Sequence, residues 1–465
     1  MRKWFHFVLF LFCLESHRLW AEEAGDENSD LNLIPKTVET TKAEPSRVEH
    51  SQFSGRSYLE DALTGWINRS LLVQDPTQTP DWQNRTSLDL DGIWQLGEKV
   101  RLSLSNRLNA IEGDTITFPS GENIRNDFRE GLLSWEIFPR TYLEAGRINI
   151  KTGVALGYNP TDFFKSRTTV NIASIDPSAL REDRLGSIMV KGQKIWSNGA
   201  VTLAFSPKVE KQSPLLTSQH ASFDPLFGQT NSDNRFLASL SYNIADFNPQ
   251  ALIFIDDVGT HVGVNISRVM STSIVAYAEW SGVQESSLTK RAVTFGEETG
   301  SLQQGSPLLP QTDTSRNFQN DLAIGASWTS SLNLTINLEY HYHQAGFGAA
   351  DFNNWVSLGR ANPLLASEFW FIRQYSADQQ EPLMQHEFFL RFDWPDIIPS
   401  RLNIGSVIFF SPNDGSVLGQ ASAQYFISRN WTVGVYLGGI IGSASTVEGS
   451  LPWSASGVMQ FVRYL

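Results

Sequence analysis

The stretch that decides the fold is Leu332-Asn333-Leu334-Thr335-Ile336-Asn337-Leu338-Glu339-Tyr340-His341-Tyr342-His343. Apolar or aromatic residues alternate with polar ones throughout it. Successive side chains of a β-strand point to opposite faces, so such a strand has one apolar and one polar face. It is also long enough to cross a bilayer, which takes about 9–11 residues of tilted strand. The pattern recurs along most of the chain and predicts an all-β protein, a transmembrane antiparallel up-and-down β-barrel.

The number of strands follows from counting the alternating segments between turns. Seventeen segments qualify: 84–95, 99–109, 127–137, 140–150, 185–194, 199–207, 234–243, 249–256, 260–268, 272–281, 320–328, 332–343, 385–394, 400–410, 415–426, 431–441 and 455–465. Every second connection is short, as on the periplasmic side of bacterial barrels, and the others vary in length. Since the chain enters from the periplasm, one more strand must precede 84–95, and residues 55–72 are its candidate. We therefore expect about 18 strands, with 16 as the fallback.

The N-terminal residues predict export. Arg2 and Lys3 precede an apolar run at 4–14 that is too short for a spanning helix, and Ala21 offers a small residue for cleavage. We interpret residues 1–21 as a signal peptide, the acidic segment 22–52 as a disordered periplasmic leader, and 53–465 as the barrel. Cys13, the only cysteine, would be lost with the signal peptide.

Composition narrows the function classes. The net charge of −13 argues against nucleic acid as a partner. Glu339, His341 and His343 share one strand face, but their spacing of ~7 Å is too wide for converging zinc ligands. No nucleophile is evident beside these histidines, so we predict neither an enzyme nor a metal or cofactor site.

The inward face of the strands should line the lumen. Alternation assigns to it seven acidic and seven basic residues, together with Asn337 and His341. The charged set comprises Asp89, Asp91, Glu130, Glu136, Glu339, Glu387 and Asp393 against Arg101, Arg107, Arg147, Lys151, Arg235, Arg391 and Arg401. These charges could form rings of both signs along a pore, or they could pair between neighbouring strands, as Glu387, Arg391, Asp393 and Arg401 suggest. Either arrangement gives no clean cation or anion preference. On the outward face, Ile336 is expected near mid-depth.

The connection 151–184 is a long loop with apolar residues that must be buried. It could fold into the barrel mouth and narrow it, or pack over the outer rim, and we favour the first. Its possible constriction residues are Asn159, Pro160, Asp162, Phe163, Lys165 and Arg167.

The organisation of residues 55–465 resembles the Gram-negative outer-membrane porins, in particular the larger single-chain group that includes substrate-specific and polysaccharide-export channels. The resemblance rests on the barrel pattern, the topology and the strand Ala145-Gly146-Arg147 leading into Gly157-Tyr158-Asn159-Pro160-Thr161-Asp162. It implies a passive channel for small hydrophilic solutes in the outer membrane. Alternatives are an export channel for an anionic polysaccharide, or a non-channel barrel acting through its long outer loops. The expected partners are outer-membrane lipid and lipopolysaccharide, and the barrel assembly machinery through the C-terminal strand; a homo-oligomer is possible.

Overall fold

The computed structural model describes residues 53–71, 73, 79–114, 123–170, 172–215, 222–303, 315–398 and 401–465. The predicted signal peptide and leader therefore lie outside the described residues. Eighteen strands are present: β1 Phe53–Asn68, β2 Trp82–Gly97, β3 Val100–Gly113, β4 Ile124–Phe138, β5 Thr141–Ile148, β6 Ser187–Trp196, β7 Gly199–Ser206, β8 Arg235–Tyr242, β9 Phe247–Ile255, β10 Thr260–Ser271, β11 Ile274–Glu285, β12 Asn317–Thr329, β13 Thr335–His343, β14 His386–Ile398, β15 Leu402–Phe410, β16 Val417–Ser428, β17 Trp431–Ile441 and β18 Trp453–Tyr464.

The strands form one closed antiparallel barrel. Each strand pairs with the next along the chain, and β18 pairs with β1 to close the sheet. Both the barrel and the count of 18 are confirmed, and β1 is the strand expected at 55–72. Closure removes the exposed edges that an open sheet would leave. None of the helices in the described ranges is long and apolar enough to cross a membrane.

The two faces of the barrel wall differ as alternation predicts. On β13, Asn337 and His341 are buried inside, whereas Leu338 points outward and is 55% exposed. Two details of this strand differ from expectation. Residues 332–334 belong to the preceding turn, where Asn333 has a positive φ of 61°, so Ile336 lies close to that turn rather than at mid-depth.

Aromatic side chains mark the two ends of the wall. At the ends of β1 and β2 beside the short β2–β3 turn, Phe53 and Trp94 lie opposite each other with ring centroids 5.0 Å apart. At the outer end of β2, Trp82 is 41% exposed. Amphipathic rings at both headgroup levels are expected of a membrane barrel, so Trp94 and Trp82 bracket the apolar zone on β2.

The described parts of the outer connections contain five α-helices. The helices are α1 Pro177–Asp183, α2 Phe227–Thr230, α3 Leu288–Thr299, α4 Ala349–Ala361 and α5 Pro363–Gln379. Helices α3, α4 and α5 pack on a shared apolar core that includes Phe295, Trp355 and Phe369. We call these three helices the helical cap.

Met459 and its neighbour Gln460 on β18 test the two faces of the wall. Met459 is 47% exposed outward, whereas Gln460 accepts a hydrogen bond from the Tyr436 hydroxyl on the inner face. Met459→Arg should lower the free energy of unfolding by about 2–4 kcal/mol, the cost of a cation near the bilayer midplane. Gln460→Arg should cost clearly less. Folding titrations in lipid vesicles measure both, and equal losses would contradict the assigned register.

Candidate functional site: the loop inside the barrel

The connection between β5 and β6 runs through the barrel interior. Thr161 and Asp162, near its first turn, are 0% and 1% exposed, and Arg184 at its end is 1% exposed. A loop with so much buried backbone and charge must satisfy those groups internally. The contacts that do so define how the loop is held.

The first anchor is a buried ion pair that joins the beginning and the end of the loop. Arg184 donates to both carboxylate oxygens of Asp162 at 2.9 and 3.1 Å, and the Arg181 Nε lies 3.2 Å from the same group. Arg184 also donates to the Ile150 carbonyl at 2.6 Å. Burial alone would raise the pKa of Asp162, but the two guanidinium groups hold that pKa below its ordinary value. Asp162 is therefore charged and closes the loop on itself.

The second anchor is a pair of wall carboxylates that accept the loop's backbone N–H groups. Glu339 on β13 accepts from Leu156 at 2.7 Å and from Gly157 at 2.9 Å. Glu279 on β11 accepts from the N–H groups of Val154 and Ala155. Both carboxylates are 0% exposed. Glu339 also accepts a hydrogen bond from the Tyr277 hydroxyl at 2.7 Å and lies 2.8 Å from His341 Nε2, so the wall holds this carboxylate in position for the loop.

The approach of the loop to the wall depends on a glycine. A Cβ at Gly157 would lie 2.5 Å from the Phe389 ring and 2.7 Å from His341. Any side chain there would push the loop away from Glu339. The sequence Gly157-Tyr158-Asn159-Pro160 therefore provides both the close contact and the turn that follows it.

The loop also reaches the opposite side of the barrel. Ala173 packs against a small cluster of Ala62 on β1, Tyr436 on β17 and Val458 on β18. Further along, Arg391 of β14 donates to Asp176 at 2.9 Å. The loop leaves β5 after Ile148 and reaches Glu279 of β11, six strands further round the barrel, already at Val154. It therefore crosses the interior rather than following one side.

The six residues predicted for a constriction all lie in this interior loop. Asn159, Pro160, Asp162, Lys165 and Arg167 are buried, and Phe163 stacks on Phe254 with ring centroids 5.0 Å apart. Lys165 Nζ donates to the Asn159 carbonyl at 2.7 Å and lies 4.2 Å from the Tyr158 ring centroid. Their role in narrowing a pore stays a prediction.

The residues predicted to line the lumen fall into three groups. Several are buried in contacts with other charged or backbone groups: Asp89, Arg107, Arg147, Arg235, Glu339 and His341. Others are partly exposed on the inner face or in the loop: Asp91, Glu130, Lys151, Glu387, Arg391 and Asp393. The third group lies near the short turns and comprises Glu136, Arg101 and Arg401. Asn337, at 2% exposure, belongs with the buried residues.

Alternation suggests that four charged residues pair with one another across β14 and β15: Glu387, Arg391, Asp393 and Arg401. Two of them have other partners in the structure. Glu387 contacts His341 at 3.0 Å across to β13, and Arg391 binds Asp176 of the loop. Arg401 is exposed in the turn before β15. The loop supplies a carboxylate that strand alternation alone could not reveal.

One inward pair, Asp127 and Arg129, escaped the alternation rule. Arg129 donates to Asp89 at 2.6 Å and to Asp183 at 2.9 Å, and Asp127 is 2% exposed. The register between β3 and β4 shifts at Ser105/Asn106, so the inward parity changes within β4. In the sequence, this bulge is indicated by charged residues at both odd and even positions of the strand.

The helical cap lies over this loop and is joined to it. Arg167 donates to Asp378 of α5 at 3.0 Å and lies 5.0 Å from the Phe295 ring centroid. On another side, Arg373 of α5 donates to the Val447 carbonyl at 3.1 Å, in the connection between β17 and β18. The cap therefore contacts the interior loop and the outer connection of a distant strand pair.

A buried ionic cluster connects the cap to the wall. Arg291 of α3 donates to Glu381 at 2.8 Å, and His343 of β13 lies 2.7 Å from Asp321 of β12 and 3.7 Å from Glu381. Burial alone would raise the pKa of Glu381, but Arg291 and His343 lower it to about 2. Within the described residues, no group of three metal-binding side chains has the geometry to hold an ion.

No family model matches the chain, and no characterised protein matches it by sequence. Solved structures with a similar fold include two Pseudomonas aeruginosa proteins. OccK11 (OpdR) has 10% identity and a TM-score of 0.48 over 88% of this chain and 96% of that chain; OccK3 (OpdO) has 8% and 0.46 over 88% and 95%. Salmonella typhi OmpF, in a complex with daunomycin, has 8% identity and a TM-score of 0.40 over 89% of this chain and 97% of that chain. Function is therefore argued from the chain's own residues.

The Asp162 anchor can be tested by removing its charge. Asp162→Asn leaves two guanidinium groups buried without their counterion and should lower the free energy of unfolding by about 3–5 kcal/mol. Glu182→Gln is the matched control, because Glu182 pairs with Lys151 at the same loop but is 50% exposed. It should cost less than about 1 kcal/mol. Urea unfolding followed by tryptophan fluorescence gives both values, and similar losses would show that the anchor is not buried.

Proposed function

We propose that the protein is an outer-membrane channel, a porin, through which small hydrophilic solutes diffuse passively. A barrel of this strand number is wide enough to enclose water unless something fills it. The observation that carries the proposal is the interior loop, fixed between Glu339 on one side and the β1, β17 and β18 wall on the other. A fixed loop in a wide barrel narrows the lumen to a selective passage.

Charged groups of both signs face the remaining space. Asp91 and Asp183 are 29% and 35% exposed, Lys151 and Glu182 are 27% and 50% exposed, and Arg391 is 19% exposed. These side chains can contact a hydrated solute, whereas Asp162 and Glu279 are committed to the loop. The mixture supports passage of polar solutes and favours neither ion sign strongly.

The location and partners follow from the outer surface. An apolar wall with aromatic ends fits the outer membrane, where the chain would contact lipid and lipopolysaccharide. Strand β18, which closes the barrel against β1, is the element that the barrel assembly machinery would engage. Neither a cofactor nor a catalytic group is part of this proposal.

The alternatives make different demands on the same residues. Export of an anionic polysaccharide needs unpaired cations along the lumen, but Arg107, Arg129 and Arg184 are bound to carboxylates. A non-channel barrel that acts through its outer loops draws support from the helical cap, which contacts several outer connections. A conductance measurement in a planar bilayer distinguishes that alternative from a channel, because only a channel conducts ions.

Glu182→Lys tests the passage directly. Reversing the charge of this half-exposed side chain beside Lys151 should shift ion selectivity toward anions, because local potential governs which ion enters. The reversal potential of the purified protein in a planar bilayer under a KCl gradient measures the shift.

Glu98→Lys is the control, since Glu98 is exposed in the short turn between β2 and β3. It makes the same charge change outside the proposed passage and should leave selectivity nearly unchanged. Equal shifts from both variants would place Glu182 outside the passage. A wild-type barrel that conducts no ions would overturn the channel and favour action through the outer loops.

A further inference from the structure

The inner face of four neighbouring strands, β15 to β18, carries no charge. In these strands, all of which the structure describes, the only charged residue is Arg463, and it has the parity of the outward-facing Met459. We call the inward residues of β15–β18 the uncharged wall; they share the parity of Val407, Gln420 and Tyr436. One continuous part of the barrel interior therefore offers hydrogen bonds and apolar contacts only.

The charged groups are concentrated on another part of the interior. The inner face of β2–β4 carries Asp89, Asp91, Arg107 and Arg129, which are joined by ion pairs. An ion that moves next to the uncharged wall loses hydration and gains no counter-charge, whereas a neutral polar solute exchanges one set of hydrogen bonds for another. The uncharged wall therefore suits solutes without charge.

Three side chains of the uncharged wall form a chain of hydrogen bonds. Gln424 Nε2 donates to the Tyr436 hydroxyl at 3.1 Å, and this hydroxyl donates to Gln460 Oε1 at 3.1 Å. Both glutamines are half-buried and so reach the remaining space. Among the described residues, Gln424 Oε1 has no donor and Gln460 Nε2 no acceptor. A free acceptor and a free donor thus flank Tyr436.

This pair of amides lies beside the interior loop, on its periplasmic side. Gln420 Nε2 donates to the Ala173 carbonyl at 3.2 Å, and Gln420 Oε1 accepts from the Ile175 N–H at 3.0 Å, so this glutamine is committed to the loop. Gln424 lies four residues further along β16, toward the short turn that leads into β17. A solute that passes the loop along this wall meets Gln424 next.

Two small residues of β17 complete the surroundings. A Cβ at Gly434 would lie 2.8 Å from Gln460 Oε1 and 3.2 Å from the Tyr436 ring, so only glycine lets both side chains lie flat against the wall. The hydroxyl of Thr432, the next inward residue on β17, is buried without a hydrogen-bond partner among the described residues. Such a group is costly, and a hydroxyl of a bound solute would satisfy it.

We propose that the uncharged wall binds uncharged polyhydroxylated solutes of monosaccharide size at Gln424 and Gln460 during their passage. Each sugar hydroxyl both donates and accepts, so one hydroxyl can donate to Gln424 Oε1 while its neighbour accepts from Gln460 Nε2. A carboxylate can use only the donor, and an ammonium group only the acceptor. This inference rests on the proposed channel and names a solute class for it.

Three sugars of the same ring size test the solute class. Glucose is uncharged, whereas near neutral pH glucuronate carries a carboxylate and glucosamine an ammonium group. Uptake of each radiolabelled sugar into proteoliposomes that contain the wild-type protein gives its rate of entry. We expect glucose to enter faster than both charged sugars, because only glucose uses the wall without losing the hydration of a charge.

Two leucine variants test the residues. Gln424→Leu and Gln460→Leu should each slow glucose entry by about fivefold, the effect of one lost hydrogen bond, while single-channel conductance in KCl stays nearly unchanged. Gln193→Leu is the matched control, since Gln193 faces the interior from β6 and donates to Thr202 at 3.1 Å. It removes the same amide from another wall and should leave glucose entry unchanged.

The outcomes separate this inference from the channel itself. Equal entry of the three sugars, or equal glucose rates in the wild type and both leucine variants, would overturn the site while ion conductance leaves the channel standing. A loss from Gln193→Leu as large as that from Gln424→Leu would also overturn it. Should the leucine variants fail to fold, the wild-type comparison of the three sugars decides alone. A barrel without any conductance would overturn the channel and this inference together.

Discussion

The arrangement of the barrel interior depends on two buried carboxylates, Glu279 and Glu339, that accept the backbone N–H groups of one loop. A chain crossing a barrel leaves its own hydrogen-bonding groups without a sheet or helix to satisfy them. Here the wall supplies the acceptors, since Leu156 and Gly157 donate to Glu339, and Val154 and Ala155 donate to Glu279. The Asp162–Arg184 pair then closes the loop, and Ala173 reaches the far wall. These contacts hold the loop inside the barrel, where the proposed channel would need its narrowing.

The barrel could be predicted from sequence because its wall repeats one simple constraint. Every spanning strand separates lipid from the interior, so alternation is visible in each segment without knowledge of the others. Even β1, in which the alternation is weakest, could be predicted, because a chain that enters from the periplasm needs one more strand before 84–95. The errors were local: residues 332–334 continue the alternation but form a turn, in which Asn333 has a positive φ.

The interior could be predicted only in part, because alternation says which face a residue occupies and not what covers it. Glu339 was placed inward from its parity, yet nothing in β13 shows that loop N–H groups bind it. Arg129 was missed because a bulge changes the inward parity within β4. The helical cap was expected only as long connections, although the run Phe369-Trp370-Phe371-Ile372 in α5 is apolar on all sides, as a buried helix requires.

The most direct test of the account is whether the interior loop spans the barrel. Ala173 of the loop packs against Ala62 of β1, on the far side from the wall carboxylates. In a chain with Cys13→Ala, the pair Ala62→Cys and Ala173→Cys should form an internal cross-link in the folded protein, seen as faster migration on a denaturing gel. Pairing Ala173→Cys with Ala110→Cys, on the outward face of β3, should form none. A folded barrel in which Ala62 and Ala173 do not cross-link would contradict the central claim that this loop crosses the lumen.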